Sequence, residues 1–360
     1  MRKPKRLSLG HAHASITIKD IAAHLGIADS TVSRALSDHP YTNRGTKERV
    51  RRAVEKFGYV PHLAARSLRN SRGVLVGLIL PNIDSQAFAT AAQILSHRCE
   101  SAGLQMVLAI SGDDPEIEYR HVQALRGARA VGIVITPCGV PHEKTLALLQ
   151  SIPTVQYARH HPRLAAPGVS VDSERGMTLA TQHLLDLGHR RIAYLGPHLE
   201  ISTGAERLAG FLRAHKQFNV TADPTLIIAG TLDANKAATS LAALLATRLR
   251  PTAVVVAADV FMLGALAALR DADLELPRDV SLVGYGNPGW YGLWRPGLTT
   301  IEQPFLQMAD TAASQLLAQL AAPATSRLDP EQRRLETKFI VRGSTAPPTH
   351  MIETRRKSGT

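Results

Sequence analysis

The decisive stretch is Thr17-Ile18-Lys19-Asp20-Ile21-Ala22-Ala23-His24-Leu25-Gly26-Ile27-Ala28-Asp29-Ser30-Thr31-Val32-Ser33-Arg34-Ala35-Leu36. Thr17 is an N-cap residue, and Asp20 stands three positions on, where a carboxylate favours the first turn of a helix. Ile18, Ile21, Ala22 and Leu25 follow at i, i+3, i+4 and i+7, the spacing of one helical face. Gly26 supplies a left-handed stop. A second helix follows with Val32, Ala35 and Leu36 turned inward. Helix, tight glycine turn, helix is a helix-turn-helix pattern, whose second helix enters the major groove of DNA. A third helix, from about Gly45 to Phe57, sets Val50, Val54 and Phe57 on one face and Lys47, Arg49, Arg51, Arg52 and Lys56 on the other, and Gly58 ends it.

Working outward, charge singles out the same region. The first 72 residues carry fifteen Lys and Arg against five acids, a net +10, which leaves +2 of the chain's +12 for all that follows. A basic excess confined to one end is the footprint of phosphate binding rather than of general solvation. Met1 to Gly10 is basic with no apolar run behind it, so it is not a secretory signal. No run approaches the ~20 apolar residues of a membrane span. Cys99 and Cys138 lie far apart in apolar surroundings, with no disulfide framework or metal spacing. These features point to a cytoplasmic, nucleoid-associated protein with no cofactor and no membrane partner.

On the outer face of the second helix the expected residues are Asp29, Ser30, Ser33 and Arg34. Arginine can bond two acceptors on guanine, aspartate accepts from the cytosine amine, and serine bonds several base edges. The competing reading is that they solvate the helix.

These residues resemble the lac-repressor (LacI) family of bacterial transcription regulators. The resemblance rests on Thr17 to Ala22, Thr31 to Arg34 and Tyr59 to Leu68. It continues through Val76 to Asn82, Leu187 to Ala193, Glu206 to Phe211, Pro296 to Ile301 and Arg342 to Thr345, and so spans about residues 16 to 345. It implies that Asp29, Ser30 and Arg34 are base-reading positions. It also implies that Pro61 to Arg69 is a hinge helix in the minor groove, with Leu68 the apolar wedge between base steps. The full set of candidate DNA contacts is Thr17, Asp29, Ser30, Thr31, Ser33, Arg34, Asn43, His62, Ala65 and Leu68. One departure is Ala28, where the family usually has a capping serine. If Asp29 or Ser30 caps instead, the helix start shifts and Asp29 leaves base reading.

Beyond Gly73, apolar runs alternate with amphipathic stretches. The expected strands are Val74 to Leu80, Met106 to Ile110, Val131 to Thr136, Thr154 to Tyr157, Ile192 to Gly196, Ala253 to Ala258 and Ser281 to Tyr285. This pattern indicates parallel α/β sheets buried on both faces, and its length suggests two of them. The resemblance implies a two-lobed, periplasmic-binding-protein-like core that holds a small effector between the C-terminal ends of its strands. The expected organisation is a disordered basic tail (1–15), the helix-turn-helix headpiece (16–60), a hinge (61–72), the effector-binding and dimerising core (73–345) and a flexible tail (346–360).

The resemblance places Phe88, Thr203, Arg207 and Asp259 at the effector. Arginine suits a carboxylate or vicinal hydroxyls, and aspartate accepts hydroxyl donors. Arg207 has the alternative of an inter-lobe salt bridge. Trp290 would either stack on a sugar or simply pack. The chain departs from the family at Ala258, usually Asn, and at Gly286 and Asn287, usually two Asp. The effector class expected is a sugar or sugar acid, with purines and other metabolites open. Gly284 to Gly289 spells G-x-G-x-x-G, but Pro288 and the following Trp-rich run oppose the helix a dinucleotide site requires. No H-E-x-x-H pattern, catalytic constellation or leucine heptad series is present. The sequence therefore reads as a homodimeric, effector-controlled DNA-binding regulator, most simply a repressor. The alternative is a cytoplasmic solute-binding protein or carbohydrate enzyme on the same core.

Overall fold

The structure is a computed structural model that describes residues 16–36, 39–59, 73–230, 233–322 and 330–349. Contacts divide the chain into two units, residues 1–72 and 73–360.

In the first unit, three helices, α1 (Ile18–Leu25), α2 (Asp29–Leu36) and α3 (Arg44–Phe57), enclose Ile21, Ala22, Val32, Val50, Ala53 and Tyr59. The Thr17 backbone N–H and hydroxyl both donate to the Asp20 carboxylate at 2.7 Å, which holds that carboxyl below its ordinary range. Gly26 and Gly58 take φ of +64° and +61°, the left-handed conformation glycine adopts without steric cost. Arg49 donates to the Leu25 carbonyl at 3.1 Å, so α3 satisfies the open end of α1. The Ala28 carbonyl accepts from Thr31 and Val32 at 2.8 and 3.1 Å. The helix start is therefore not shifted: Ala28 occupies the cap position without a capping oxygen, and Asp29 opens α2. Helix α3 begins one residue earlier than its apolar spacing suggests, because Asn43 Oδ1 accepts from Gly45 N at 2.8 Å and caps it.

The second unit has two six-stranded sheets. Its elements are β1 (Leu75–Leu80), α4 (Gln86–Ser101), β2 (Gln105–Ile110), α5 (Pro115–Gly127), β3 (Gly132–Ile135), α6 (Glu143–Gln150), β4 (Thr154–Tyr157) and β5 (Gly168–Val171). There follow α7 (Ser173–Asp186), β6 (Ile192–Leu195), α8 (Ser202–Gln217), β7 (Ile227–Ile228), α9 (Ala234–Leu245), β8 (Ala253–Val256) and α10 (Met262–Asp271). The last are β9 (Ser281–Tyr285), α11 (Trp290–Leu293), β10 (Thr299–Glu302), α12 (Phe305–Ala321), β11 (Gln332–Leu335) and β12 (Lys338–Ile340).

The N-terminal lobe's sheet runs β11-β5-β4-β3-β1-β2, all parallel. The C-terminal lobe's runs β12-β10-β9-β8-β6-β7, parallel except for β12 against β10. The chain changes lobe three times, after β5, after β10 and after β11. Thus α12 returns to the first lobe, where Phe305, Met308, Ala312 and Leu316 pack on Leu78, Ala91, Leu95 and Val155. Crossover helices cover the sheets, so strands β3, β6 and β8 are buried throughout and β1 is buried beyond Leu75.

All seven expected strands exist: β4 and β9 have the expected bounds, β2 starts one residue earlier, and β1, β3, β6 and β8 are shorter at their ends. One differs in environment: β2 is an edge strand, and Val107, Leu108 and Ile110 stay about 40% exposed (41%, 39% and 40%) rather than buried. The C-terminal tail also differs from expectation in its first residues. His189 contacts Thr252 Oγ1, Ser281 Oγ and the Ala346 carbonyl, Ala346 N donates to Ser281 Oγ, and Thr349 donates to the Arg278 carbonyl. Residues 346–349 are thereby fastened to the C-terminal lobe. The expected basic tail, hinge and last residues lie outside the described residues.

Candidate functional site

The headpiece presents Asp29, Ser30 and Arg34 on the exposed side of α2. Ser33 is buried beside Val32 and Thr31 is half-buried, so the expectation that Ser33 faces outward is corrected. The inward arc of α2 is wider than the Val32, Ala35 and Leu36 seam, and a short polar side chain on its flank is covered. Thr17 and Asn43 are exposed, but each also serves as a helix cap. His62, Ala65 and Leu68 lie outside the described residues. On α3, Arg44 and Arg52 both approach Glu48, at 3.6 and 4.0 Å, in exposed pairs that contribute little to stability. One residue not singled out from sequence is Tyr41, 93% exposed in the turn before α3. Its only sequence signal is an aromatic between Pro40 and Thr42 in a polar turn.

In the second unit, the C-terminal ends of strands from both sheets converge on a cavity of about 290 Å³. Open α/β sheets bind ligands at such ends. Phe88, Thr203, Arg207 and Asp259 all line it. Trp290 does not: it packs on the core of the C-terminal lobe, edge-on to Tyr291 and Trp294. The G-x-G-x-x-G run leads only into the single turn α11, and Asn287 within it bonds Glu302 at 2.7 Å and Arg342 at 2.9 Å.

Arg207 reaches the cavity from the second turn of α8. It is only 8% exposed, donates Nη1 to the Ala257 carbonyl at 2.7 Å, and lies 3.9 Å above the Tyr285 ring. Its Nε is buried without a hydrogen-bond partner, and among the described residues Arg207 forms no ion pair. Asp259 follows β8. One carboxylate oxygen accepts from Ser85 Oγ and Gln86 N, each at 3.0 Å, and the other accepts from Val260 N at 3.0 Å. Burial pushes its carboxyl up, opposed by those bonds and by the Arg207 charge. The second cation of the cavity, Arg159, is already neutralised by a two-pronged pair with Asp113.

Other members of the site carry weaker sequence signals. Asn82 Oδ1 accepts from Asp84 N and Ser85 N at 3.2 Å and turns the chain into α4. Tyr157 anchors α4 by donating to the Ala87 carbonyl at 3.0 Å. Behind the Arg159–Asp113 pair, Glu118 is fully buried and accepts from Cys138 N at 2.8 Å and Cys138 Sγ at 3.3 Å. Burial raises both the Glu118 carboxyl and the Cys138 thiol, so Cys138 is a hydrogen-bond donor rather than a nucleophile. Its surroundings are thus not simply apolar. Among the described residues no cluster suits a metal ion, and no helix is long and apolar enough to cross a membrane.

Comparison with known proteins bears on both units. Residues 17–62 match the family of bacterial regulatory proteins, lacI family, and residues 181–345 match a periplasmic binding protein-like domain. The PurR HTH-type transcriptional repressor of Yersinia enterocolitica is 28% identical over 334 residues, covering 92% of this chain and 97% of the relative. The lac repressor dimer bound to operator and the anti-inducer ONPF superposes with a TM-score of 0.76 at 24% identity, over 92% of this chain and 99% of that one. A CelR transcriptional regulator in complex with cellobiose does so with 0.67 at 27% identity, over 91% and 99%. With a lacI-type headpiece over residues 17–62 and a periplasmic-binding-like match over residues 181–345, the chain belongs to the lacI family of DNA-binding transcription regulators.

Proposed function

We propose that this regulator is a homodimeric repressor whose operator affinity is set by a sugar or sugar acid bound in the cleft between the lobes of its core. The observation that carries the ligand class is the pairing state of the two charges, the buried Arg207 and the half-buried Asp259. Arg207 and Asp259 line one cavity, yet each spends its bonds elsewhere, Arg207 on a carbonyl and Asp259 on three uncharged donors. A hydroxyl both donates and accepts, so a polyhydroxy ligand can serve the guanidinium and the carboxylate at once, and a sugar carboxylate would take the guanidinium fork. A flat nucleobase fits less well, because Arg207 covers one face of Tyr285 and Trp290 packs outside the cavity.

Base reading is assigned to Arg34, Ser30 and Asp29 of α2. Thr17 and Asn43 are assigned to backbone positioning, and His62, Ala65 and Leu68 to the hinge in the minor groove. An effector changes DNA affinity only by its differential affinity for two settings of the lobes. The second copy is proposed to cover the edge of the N-terminal lobe at β2. An exposed apolar edge strand of this kind invites pairing, and a two-fold dimer presents two reading helices to two half-sites. Its DNA partner supports a cytoplasmic location.

Binding to the protein's own promoter and to random duplex at physiological salt tests the first half. A clear preference for the promoter is expected, and equal affinity would overturn the reading. A thermal-shift screen of the full chain against sugars, sugar acids and nucleobases tests the second. Stabilisation by a nucleobase alone would reverse the ligand assignment. For the dimer, Leu108→Asp should convert the protein to monomers in sedimentation velocity; an unchanged dimer would remove β2 from the interface.

A further inference from the structure

Asp259 does something in this fold that its place in the cavity does not require. Helix α4 belongs to the N-terminal lobe, and its N-cap residue, Ser85, makes no side-chain cap to its own helix. The open N–H of Gln86 and the Ser85 hydroxyl instead both donate at 3.0 Å to Asp259, which comes from the other lobe 173 and 174 positions further along the chain. A carboxylate at a helix N-terminus meets unsatisfied donors and the positive end of the helix dipole together. The C-terminal lobe thus provides the missing cap of an N-terminal-lobe helix.

The surroundings fit that role. Val260 N donates to the second carboxylate oxygen and fixes the rotamer. Asn82 and Tyr157 hold the start of α4 from its own side. Gly286 abuts Asp259 from β9: a Cβ there would come within 3.0 Å of the Asp259 Cβ, and φ is +81°. A side chain at position 286 would displace Asp259, and an acidic one would also repel it. The missing side chain at Gly286 therefore makes room for this contact. Two further contacts join the lobes, His160 N to Ser202 Oγ at 3.1 Å between uncharged groups and the Arg334–Glu206 ion pair at 2.9 Å, and neither places a carboxylate at the open N-terminus of a helix from the opposite lobe.

We propose that Asp259 is an inter-lobe latch, a carboxylate borrowed by helix α4 as its cap, which holds the lobes in this setting and which the effector must engage to change it. This rests on the reading of the cleft as the effector site, and it adds how that site is coupled to lobe position. It makes Asp259 a positioning residue in the protein without effector, quite apart from any contact it makes to the effector.

The test uses full-length protein without DNA or effector. Spin labels at exposed positions, introduced as Arg126→Cys and Asp271→Cys, report the distance between lobes, and hydrogen exchange reports the Gln86 amide. Ser85→Ala removes one latch bond and leaves Asp259 in place. Loss of one charge-assisted bond should raise opening, and so exchange at Gln86, by roughly tenfold. Asp259→Asn should do more and also broaden the inter-label distances. The double variant should match Asp259→Asn, because both substitutions break the same contact. Unchanged distances and exchange in Asp259→Asn, or additive effects in the double variant, would overturn the latch. If Asp259→Asn does not fold, wild-type exchange at Gln86 in Ser85→Ala overturns it alone. A failed latch leaves promoter binding and the ligand screen standing, and failure of those leaves this measurement intact.

Discussion

Replacing Arg207 with Met separates what this side chain does for the fold from what it does for the ligand. The substitution removes the bond to the Ala257 carbonyl at 2.7 Å and the stack on Tyr285 at 3.9 Å. A hydrogen bond to a charged group is worth about 1.5–3 kcal/mol, and a desolvated cation–π contact about 2 kcal/mol. Against that loss of about 4 kcal/mol stands what the wild-type protein bears. It buries an almost inaccessible cation that pairs with no carboxylate among the described residues and leaves Nε unbonded. The unmade bond costs about 1–3 kcal/mol and desolvation of the charge several more. Methionine fills much of the same space with neither cost. The sides cancel to within about 1–2 kcal/mol, which at about 2–4 °C per kcal/mol for a unit of this size is a small shift in Tm.

Ligand binding has no such compensation. Losing two charge-assisted bonds from the guanidinium fork removes about 3 kcal/mol or more, roughly a hundredfold in Kd. The assay is paired: thermal melting without ligand, and titration with the compound that the screen of sugars and sugar acids selects. The expected result is a near-normal Tm with Kd raised at least roughly a hundredfold. A Tm collapse equivalent to more than about 4 kcal/mol would show that Arg207 is a structural tie and that its burial is compensated after all. A normal Tm with unchanged affinity would remove it from the ligand site.

Three other outcomes follow from the same structure. Arg34→Ala should lose about 1–3 kcal/mol of discrimination at one base position of each half-site, read in a selection from random duplexes, and an unchanged preference would take Arg34 out of base reading. Ile21→Ala, at a fully buried position of a six-residue core, should cost about 2–5 kcal/mol, enough to abolish operator binding. The ligand-induced thermal shift of the separate core unit should survive; loss of both would mean the two units fold as one. Glu118→Gln should alter the pH dependence of stability. The carboxyl is raised by burial, so the native state binds more protons than the unfolded one above the ordinary carboxylate range. Its favourable contribution is complete below the unfolded pKa and lost as pH rises through the folded pKa. The variant should therefore gain on wild type between acid and neutral pH in urea midpoints, and a constant difference would show that Glu118 is not so shifted.

The headpiece was the most legible part, because its determinants are local. Ile18, Ile21, Ala22 and Leu25 set one face of α1, and Gly26 and Gly58 stop their helices where φ turns positive. Ser33 was misread because a helical wheel assigns a face by residue type, whereas packing of three short helices decides how wide the covered arc is. In the core, strands inside a sheet announce themselves as apolar runs, as in β1 and β8. Strands at the edges do not: β7 is two residues long and β11 reads Gln-Arg-Arg-Leu, paired in parallel to β5 with only Leu335 packed on the core. Edge position also explains β2, whose apolar run is the same kind of signal as β1 but is covered only at Met106 and Ala109, leaving Val107, Leu108 and Ile110 exposed in a single chain.

The cleft marks a different boundary of what a sequence discloses. Arg159 and Arg207 are the same residue type, face the same cavity and lie on elements of the same kind of fold. Their chemistry differs because Asp113, 46 positions upstream of Arg159, cancels one charge, while among the described residues no carboxylate pairs with the other. Asp259 follows the same rule. Its place after β8 could be inferred by resemblance, but not that its oxygens are already engaged by a helix from the opposite lobe. The type of a side chain and the strand end that carries it are local facts. Whether its bonding capacity remains for a ligand depends on long-range pairing. On the latch reading, a ligand that takes over Oδ2 of Asp259 gains it only as α4 loses its cap, and the affinity it gains is reduced by the free energy of that contact.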